Sequence, residues 1–292
     1  MNKRFTFSAN TNTMKYEANA MRTTSMKNQN ICIGFDLDGT LLFNGEWKAW
    51  VPSLVNQLQG YDTFFATGRS ILECKKLMQV MKRDIPIICD DGQYIYDNEN
   101  GYAYNTFLSL CEEFDYFEKN DILIAVETKD SICTESSLMK KLLTLYCGVD
   151  KNDIRHDNPR TCKEIYKVYF YEKNRLIQGL GTNFNITTIV AGFGYLTDRN
   201  VNKYEALQKA LKDKNLQTKN TLYFGDGLND MEIIRNVPVG VAVYNAIPEL
   251  KEISTITMKS DMDFMNFLSY LKMTRRSSNV EKLLEGYMNN VR

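Results

Sequence analysis

Short apolar runs that end in polar turns recur along the chain and indicate its fold. Residues 31–35, 63–66 and 221–224 are nearly continuous in apolar and β-branched side chains. Such runs are typical of strands in a parallel sheet that is covered on both faces. A segment that begins at residue 203 repeats apolar residues at helical spacing, which predicts an amphipathic helix. The pattern therefore favours an α/β fold built on a parallel sheet.

Polar side chains follow these three runs at the point where each predicted strand ends. Asp36 and Asp38 follow the first run, and Thr67 follows the second. Asp226 and Asp230 follow the third. In open α/β sheets ligands bind outside the carboxyl ends of the strands, so these chain-distant residues are candidates to meet in one site. Packing alone does not explain such a set.

The residue types in this set narrow its chemistry. Carboxylates in one crevice repel each other unless a hard divalent cation joins them, and Mg²⁺ suits a set of aspartates without histidine. The one histidine of the chain, His156, lies in a polar stretch far from the set. Mg²⁺ beside a lysine such as Lys203 can neutralise a transferring phosphoryl group, and an aspartate can be the nucleophile. The residues therefore predict phosphate chemistry.

Four segments of the chain resemble, in the same order, the motifs of the haloacid dehalogenase superfamily phosphatases. They are FDLDGTLL, ATGRS, VNKYEALQKAL and GDGLNDMEII, and the later stretch VGVAVYNAIPELKE is also similar to the family. The resemblance spans residues 30–270 and points to the Cof-type branch, class IIB with a C2 cap. It implies an α/β fold with a Rossmann-like doubly wound parallel-sheet core and an inserted α/β cap domain. It also implies a Mg²⁺-dependent phosphomonoester hydrolase that forms an aspartyl phosphate, with small soluble sugar phosphates as the leading substrate class.

The resemblance implies a role for each residue of the first three motifs. Asp36 would be the nucleophile and a Mg²⁺ ligand. Asp38 would protonate the leaving oxygen and later activate water, while its backbone carbonyl binds the metal. Thr67 and Gly68 would bind the phosphoryl oxygens. Lys203 would balance the negative charge of the bound phosphate and of Asp36, as a catalytic and phosphate-binding residue.

The fourth motif would complete the metal site. Asp226 would be the remaining protein ligand of Mg²⁺, and Asp230 would hold a metal-bound water or Lys203 in place, with Asn229 sharing that duty. Asp91 departs from the family pattern, which has an Asn-Gly pair at this point. It is either a loop carboxylate that contacts substrate hydroxyls or a turn residue.

Other functions stay open at this point. A phosphosugar mutase would pass the same aspartyl phosphate to a second sugar hydroxyl. A non-catalytic binding or regulatory module would retain the scaffold, although it would not need Asp36, Asp38 and Lys203 together. Taken singly, Asp226 and Asn229 would be ordinary turn residues, so the interpretation depends on the whole set of motifs.

The order of the segments predicts two domains and two terminal extensions. Residues 29–105 and 197–272 would form a discontinuous catalytic core. Residues 106–196 alternate helix-like and strand-like stretches and would form the α/β cap. Residues 1–28 are rich in Asn, Thr, Ser and Met and are expected to be a disordered leader. Residues 273–292 include an amphipathic pattern and would form a helical extension.

Composition argues against two classes of partner. Lys plus Arg and Asp plus Glu number 36 each, so no global field attracts nucleic acid or an anionic membrane. No apolar segment approaches the roughly 18 residues of a membrane span. Seven scattered cysteines suggest reduced thiols. We therefore expect a cytoplasmic enzyme with a small-molecule phosphate ester as its substrate, with organelle targeting through residues 1–28 as the alternative, and the sequence leaves the oligomeric state open.

Overall fold

The computed structural model describes residues 31–82, 84–97, 102–103, 108, 110–173, 177, 180, 183–274 and 279–290. The leader predicted at residues 1–28 lies outside them. The strands in chain order are β1 (Cys32–Asp36), β2 (Leu42–Phe43), β3 (Glu46–Trp47), β4 (Asp62–Ala66), β5 (Ile87–Cys89), β6 (Tyr94–Tyr96), β7 (Tyr102–Ala103), β8 (Leu123–Glu127), β9 (Ile132–Cys133), β10 (Ile154–Arg155), β11 (Lys167–Tyr171), β12 (Phe184–Val190), β13 (Phe193–Asp198), β14 (Thr221–Gly225), β15 (Val239–Ala242) and β16 (Ile256–Thr257). The α-helices are α1 (Val51–Asn56), α2 (Ile71–Met78), α3 (Cys111–Lys119), α4 (Ser137–Leu142), α5 (Lys203–Asp213), α6 (Met231–Asn236), α7 (Pro248–Ile253), α8 (Asp261–Met273) and α9 (Val280–Asn290).

The larger of the two main sheets has eight strands in the order β16-β15-β14-β1-β4-β5-β6-β7. Every pairing from β16 to β5 is parallel, whereas β6 and β7 form an antiparallel edge. The three apolar runs of the sequence are β1, β4 and β14, and β1 lies between the other two. The prediction of a parallel α/β sheet is therefore confirmed, and its antiparallel edge makes the sheet mixed.

Stacked aromatic rings hold the neighbouring strands β1 and β14 against a helix. The ring of Phe35 in β1 stacks on Phe224 in β14, with centroids 4.9 Å apart. Phe224 in turn stacks on Phe264 of α8 at 4.7 Å. All three side chains are buried. Because Phe35 and Phe224 come just before Asp36 and the turn at Asp226, these contacts fix the strand ends that carry the predicted carboxylates.

The second main sheet has six strands in the order β10-β9-β8-β11-β13-β12 and is mostly antiparallel. Tyr169 and Phe170 of β11 are buried in it. Helix α4 and a π-helical turn at Leu143–Cys147 pack on the same sheet. These elements confirm an α/β character for the segment between the second and third motifs. The division into domains at residues 106 and 196 stays a prediction.

The C-terminal helix α9 packs on the larger sheet. Val280, Leu283 and Tyr287 are buried in the same apolar cluster as the central strands, and the ring of Tyr287 contacts Phe267 of α8 at 4.4 Å. Within the predicted extension, Val280–Asn290 therefore form a helix docked on the core, and the bounds 273–292 stay a prediction. Within the described part of the chain, no helix is both long and apolar enough to cross a membrane.

Candidate active site

The carboxyl ends of β1, β4 and β14 meet at one edge of the larger sheet. Asp36 is the last residue of β1, Thr67 follows β4, and Asp226 follows β14. The parallel registers place Asp36 beside Ala66 and Phe35 beside Phe224, so the three ends are adjacent. The structure thus brings together the residues of the first, second and fourth motifs.

Lys203 enters this group from the first turn of α5. The side chain of Asn202 caps the helix by accepting a hydrogen bond from the Glu205 amide, which directs the first helical residue towards the strand ends. Lys203 Nζ donates to Asp36 Oδ1 at 2.6 Å and to Asp230 Oδ1 at 3.0 Å. All three side chains are buried. The predicted lysine therefore contacts the predicted nucleophile directly.

Burial and neighbouring charges shift the pKa values of the side chains at this site. Burial raises the pKa of Asp36 well above its usual value, Lys203 opposes that shift, and the neighbouring carboxylates add to it. Burial and Asp230 raise the pKa of Asp226 to about 6. Burial disfavours the charged form of Lys203, but Asp230 and Asp36 outweigh it and raise its pKa. The lysine is a cation inside a crevice with an excess of negative charge.

Asp230 is engaged by protein donors at both carboxylate oxygens. Oδ1 accepts hydrogen bonds from Lys203 and from the Tyr223 hydroxyl at 2.9 Å. Oδ2 accepts from the amides of Asp226 and Gly227, each at 3.1 Å. Asp230 therefore holds both the lysine and the turn that carries Asp226, which is the supporting position expected for it.

The carboxylates of Asp36, Asp226 and Asp230 form a cluster suited to a hard cation. One oxygen of each lies within 4.8 Å of the others. Asp226 Oδ1 also accepts a hydrogen bond from Thr40 Oγ1 at 3.1 Å. Three carboxylates face a single lysine, and the donors are all oxygen atoms, a set that fits Mg²⁺. Because Asp230 is saturated by protein donors, Asp36 and Asp226 are the better placed ligands.

Gly39 allows the first motif to approach the fourth. Its φ of +81° lies in the left-handed region, and a Cβ at this position would collide with the Asp226 carboxylate. Only glycine meets both conditions without strain. The turn after Asp38 therefore lies directly against the candidate metal ligand.

Asp38 lies at the exposed mouth of the site and is held by Arg69. Arg69 Nε donates to Asp38 Oδ2 at 2.7 Å, and its Nη2 donates to Oδ1 at 2.8 Å. Such a two-point contact fixes both the position and the plane of the carboxylate. Arg69 was not among the residues predicted to be functional, although it directly follows Thr67 and Gly68 in the second motif.

Asp91 is engaged by two protein groups. Its Oδ1 accepts a hydrogen bond from Asn229 Nδ2 at 2.9 Å, and its Oδ2 accepts from the hydroxyl of Tyr195 in β13 at 3.1 Å. Its φ is +55°, so it also occupies a tight turn. Contact of Asp91 with substrate stays a prediction, and the structure shows a bridge between Asn229 and the second sheet.

A cavity of about 370 Å³ opens above these residues. Its floor includes Asp36, Asp38, Thr67 and Asp226, and residues of the second sheet and the π-helical turn form its roof. Sequence reasoning missed the roof because no motif marks it and because it is assembled by the packing of one sheet over the other. The roof residues are Tyr146, Cys147, Thr187, Ile189 and Tyr195.

Comparison with known proteins agrees with this geometry. The family model described as haloacid dehalogenase-like hydrolase matches residues 33–264. A Mycoplasma pneumoniae protein named "Putative phosphatase" is 27% identical over 274 residues, which cover 82% of this chain and 95% of that relative. A haloacid dehalogenase-like hydrolase from Bacteroides thetaiotaomicron has the same fold, with a TM-score of 0.68, 21% identity, and coverage of 78% of this chain and 93% of its own. The structure of a HAD subclass IIB sugar phosphatase aligns with a TM-score of 0.64 and 18% identity over 84% of this chain and 98% of its own.

Proposed function

Because this chain belongs to the haloacid dehalogenase-like hydrolase family, we propose that it is a Mg²⁺-dependent phosphomonoester hydrolase that works through an aspartyl phosphate. That the chain is a phosphatase follows from the family and from its curated relatives. The observation that carries the finer proposal is the contact of Lys203 with Asp36 and Asp230 beside Asp226. Small soluble phosphates, with sugar phosphates first among them, are the proposed substrates.

Asp36 is the proposed nucleophile. Its carboxylate would attack phosphorus, and the bond from phosphorus to the leaving oxygen would break as the new bond forms. Lys203, already 2.6 Å from Asp36 Oδ1, keeps the carboxylate oriented and balances the charge that gathers on the phosphoryl oxygens. Thr67 and Gly68 at the end of β4 would hold those oxygens.

Asp38 is the proposed proton donor and, in the second half of the reaction, the base. The proton would pass from Asp38 to the leaving oxygen, and the carboxylate would then take a proton from the water that attacks the phosphoryl group on Asp36. Its place at the cavity mouth supports this role, and one of its two oxygens would leave Arg69 to carry the proton. Hydrolysis returns Asp36 to its starting form and releases inorganic phosphate.

Asp36, Asp226 and the backbone carbonyl of Asp38 would hold Mg²⁺. When bound, the ion supplies positive charge that stabilises the transferring phosphoryl group. Asp230 holds the turn of Asp226 in place, and Asn229 is held by Asp91. These supporting contacts keep the ligands oriented.

We also propose that residues 106–196 are a cap over a core formed by 29–105 and 197–272. The roof of the cavity comes from the proposed cap, and its residues Tyr146, Thr187 and Ile189 would contact the leaving group rather than the phosphoryl group. Tyr146, Thr187 and Ile189 are therefore the proposed determinants of substrate choice.

We place the activity in the cytoplasm. The cysteines that the structure describes carry free thiols, most of them buried, and the balanced charge of the chain gives no reason to expect a charged partner surface.

The direct test measures phosphate release from p-nitrophenyl phosphate and from a panel of sugar phosphates, with Mg²⁺ and then with EDTA. We expect release that requires Mg²⁺. Conversion of one sugar phosphate into an isomer without net release would identify the mutase alternative. A folded, Mg²⁺-supplied protein that transforms no substrate of the panel would contradict the proposal and favour a binding module.

A further inference from the structure

A second lysine is completely buried beside the cavity, and the mechanism proposed above does not use it. Lys167 is the first residue of β11, in the second sheet, and its side chain is 0% exposed. Its Nζ donates to the backbone carbonyl of Gly68 at 2.7 Å and lies 2.6 Å from Asp90 Oδ1. Both partners belong to loops of the larger sheet, so this lysine joins the two sheets.

The two loops that Lys167 contacts are themselves paired. The Asp90 amide donates to the Arg69 carbonyl at 2.9 Å, and the Asp91 amide donates to the Thr67 carbonyl at 3.0 Å. Gly68 lies inside the first loop, directly after Thr67. A shift of Lys167 would therefore act on the turn proposed to hold the phosphoryl oxygens.

Tyr195 makes a second contact between the sheets. It lies in β13, next to β11, and Lys167 Nζ is 4.4 Å from the centre of its ring. Its hydroxyl donates to Asp91, which in turn accepts from Asn229. A Cβ at Gly68 would be 2.6 Å from the same hydroxyl, so Tyr195 lies tightly against the turn as well.

The charges around Lys167 keep it a cation in spite of its burial. Burial lowers its pKa, but Asp90, Glu73 and Glu127 outweigh burial and raise it. A buried ion pair adds little net stability compared with apolar packing. The contact of Lys167 with the Thr67–Gly68 turn therefore points to a role in addition to stabilising the fold.

We propose that Lys167 and Tyr195 form a clasp through which the second sheet positions the Thr67–Gly68 turn and Asn229 for the phosphoryl group. Both are positioning residues, since they act through the turn and through Asp91. The inference rests on the proposed function, because that function assigns the phosphoryl group to the turn. Loss of the clasp should therefore weaken binding and transfer of the phosphoryl group by the same factor for every leaving group.

The test compares kcat/KM for p-nitrophenyl phosphate and for sugar phosphates with the inhibition constant of inorganic phosphate. For Lys167→Met we expect kcat/KM to fall by about 10- to 100-fold, since small displacements in an active site have effects of that size. The factor should be the same for all substrates, and the inhibition constant should rise with it. Tyr195→Phe should show the same pattern with a smaller factor.

Two further variants separate positioning from folding. Lys167→Met leaves Asp90 without its cation, so Lys167→Met/Asp90→Asn removes both charges together. Tyr61→Phe is the matched control, because it deletes a buried hydroxyl that donates to the Leu271 carbonyl away from the cavity, and its kinetic constants should equal those of the wild type.

Two results would overturn the clasp while leaving the phosphatase proposal standing. One is an active wild type whose folded double variant keeps the same kcat/KM and the same inhibition by phosphate. The other is a loss that differs between leaving groups, which would place Lys167 in substrate choice instead. A wild type that neither hydrolyses any substrate nor binds phosphate would overturn both proposals.

Discussion

The regions around Lys203 and Lys167 look alike but differ in what they hold. Each lysine is fully buried, and each has a carboxylate oxygen 2.6 Å from its Nζ. Lys203 comes from a helix packed on the larger sheet and contacts the proposed nucleophile, Asp36. Lys167 comes from the second sheet and contacts a loop carboxylate and a backbone carbonyl.

This difference separates two uses of a buried cation. Lys203 lies in a group with surplus negative charge, where Mg²⁺ would offset the charge of the carboxylates and of the phosphoryl group. Lys167 lies among carboxylates to which the proposed mechanism gives no role. The first lysine would change its surroundings during turnover, whereas the second would keep them. In the two proposals, charge would serve chemistry in one region and position in the other.

The largest effect is expected when the proposed nucleophile in the region around Lys203 is replaced. Asp36→Asn should lower kcat by about 10⁴-fold or more, because the neutral amide is a poor nucleophile and a poor Mg²⁺ ligand. Phosphate release with saturating Mg²⁺ is the measurement, with thermal unfolding as a check of folding. Asp213→Asn, on the surface pair of α5 with Lys209, is the control and should retain full turnover. Normal turnover by folded Asp36→Asn would remove Asp36 from the mechanism.

The next prediction compares the two lysines in one measurement. Lys203→Met and Lys167→Met should each lower the free energy of unfolding by about 3–5 kcal/mol, because each leaves a buried carboxylate unpaired. Mg²⁺ should stabilise Lys203→Met more than it stabilises the wild type, since the ion would neutralise Asp36, and should stabilise Lys167→Met only as much as the wild type. Urea unfolding with Mg²⁺ and with EDTA is the measurement. An equal response of both variants to Mg²⁺ would contradict the distinction between the regions.

A smaller effect is expected where the first motif touches the fourth. Gly39→Ala should reduce the affinity for Mg²⁺ and kcat/KM by about 10-fold or more, because the new methyl group displaces Asp226 and because φ is +81°. Titration of activity with Mg²⁺ measures both quantities. Gly148→Ala is the control, since its φ is also positive but no atom lies within 4 Å of the new Cβ, so it should change stability alone. Unchanged Mg²⁺ dependence in Gly39→Ala would contradict the proposed ligand role of Asp226.

The smallest expected effect concerns pH. The pKa of Asp226 is raised from 3.8 to about 6, so its contribution favours folding at low pH and is lost as the pH rises from about 4 to 6. Mg²⁺ binds the ionised carboxylate, so it should raise the melting temperature by about 5 °C at pH 7.5 and by clearly less at pH 5. Thermal unfolding at both pH values, with Mg²⁺ or EDTA, is the measurement. Asp226→Asn should remove the dependence on pH, and equal shifts in the wild type would argue against a metal site at Asp226.

Most of the large sheet and of its polar edge was predictable from the chain. Asp36, Thr67 and Asp226 each follow a recognisable apolar run, and parallel strands bring such ends to one edge. Lys203 was predictable because it opens a helix of regular apolar spacing. The pairing of Asp38 with Arg69 was not predicted, because both lie in turns whose relative position depends on the packing of the whole sheet.

The contacts of Lys167 could not be predicted from the sequence. Nothing in the alternation of residues around Lys167 marks it as different from any other lysine at the start of a strand. The residues that its ammonium group contacts, Gly68 and Asp90, are 99 and 77 positions away in the chain. The roof residues Thr187 and Ile189 likewise reach the cavity only through the placement of β12 over the larger sheet.

The amino-acid sequence alone determined the α/β class, the strands that end in aspartate or threonine, and the kind of chemistry their side chains allow. Local pattern suffices for these features, since apolar runs and turn residues act within a few positions of each other. Tertiary structure decided which groups saturate Asp230, that Asp91 joins Asn229 to Tyr195, and that a lysine of the second sheet binds the Gly68 carbonyl. Those contacts depend on how one sheet is placed against the other. The burial of apolar surface across the whole chain sets that placement, and no single segment determines it.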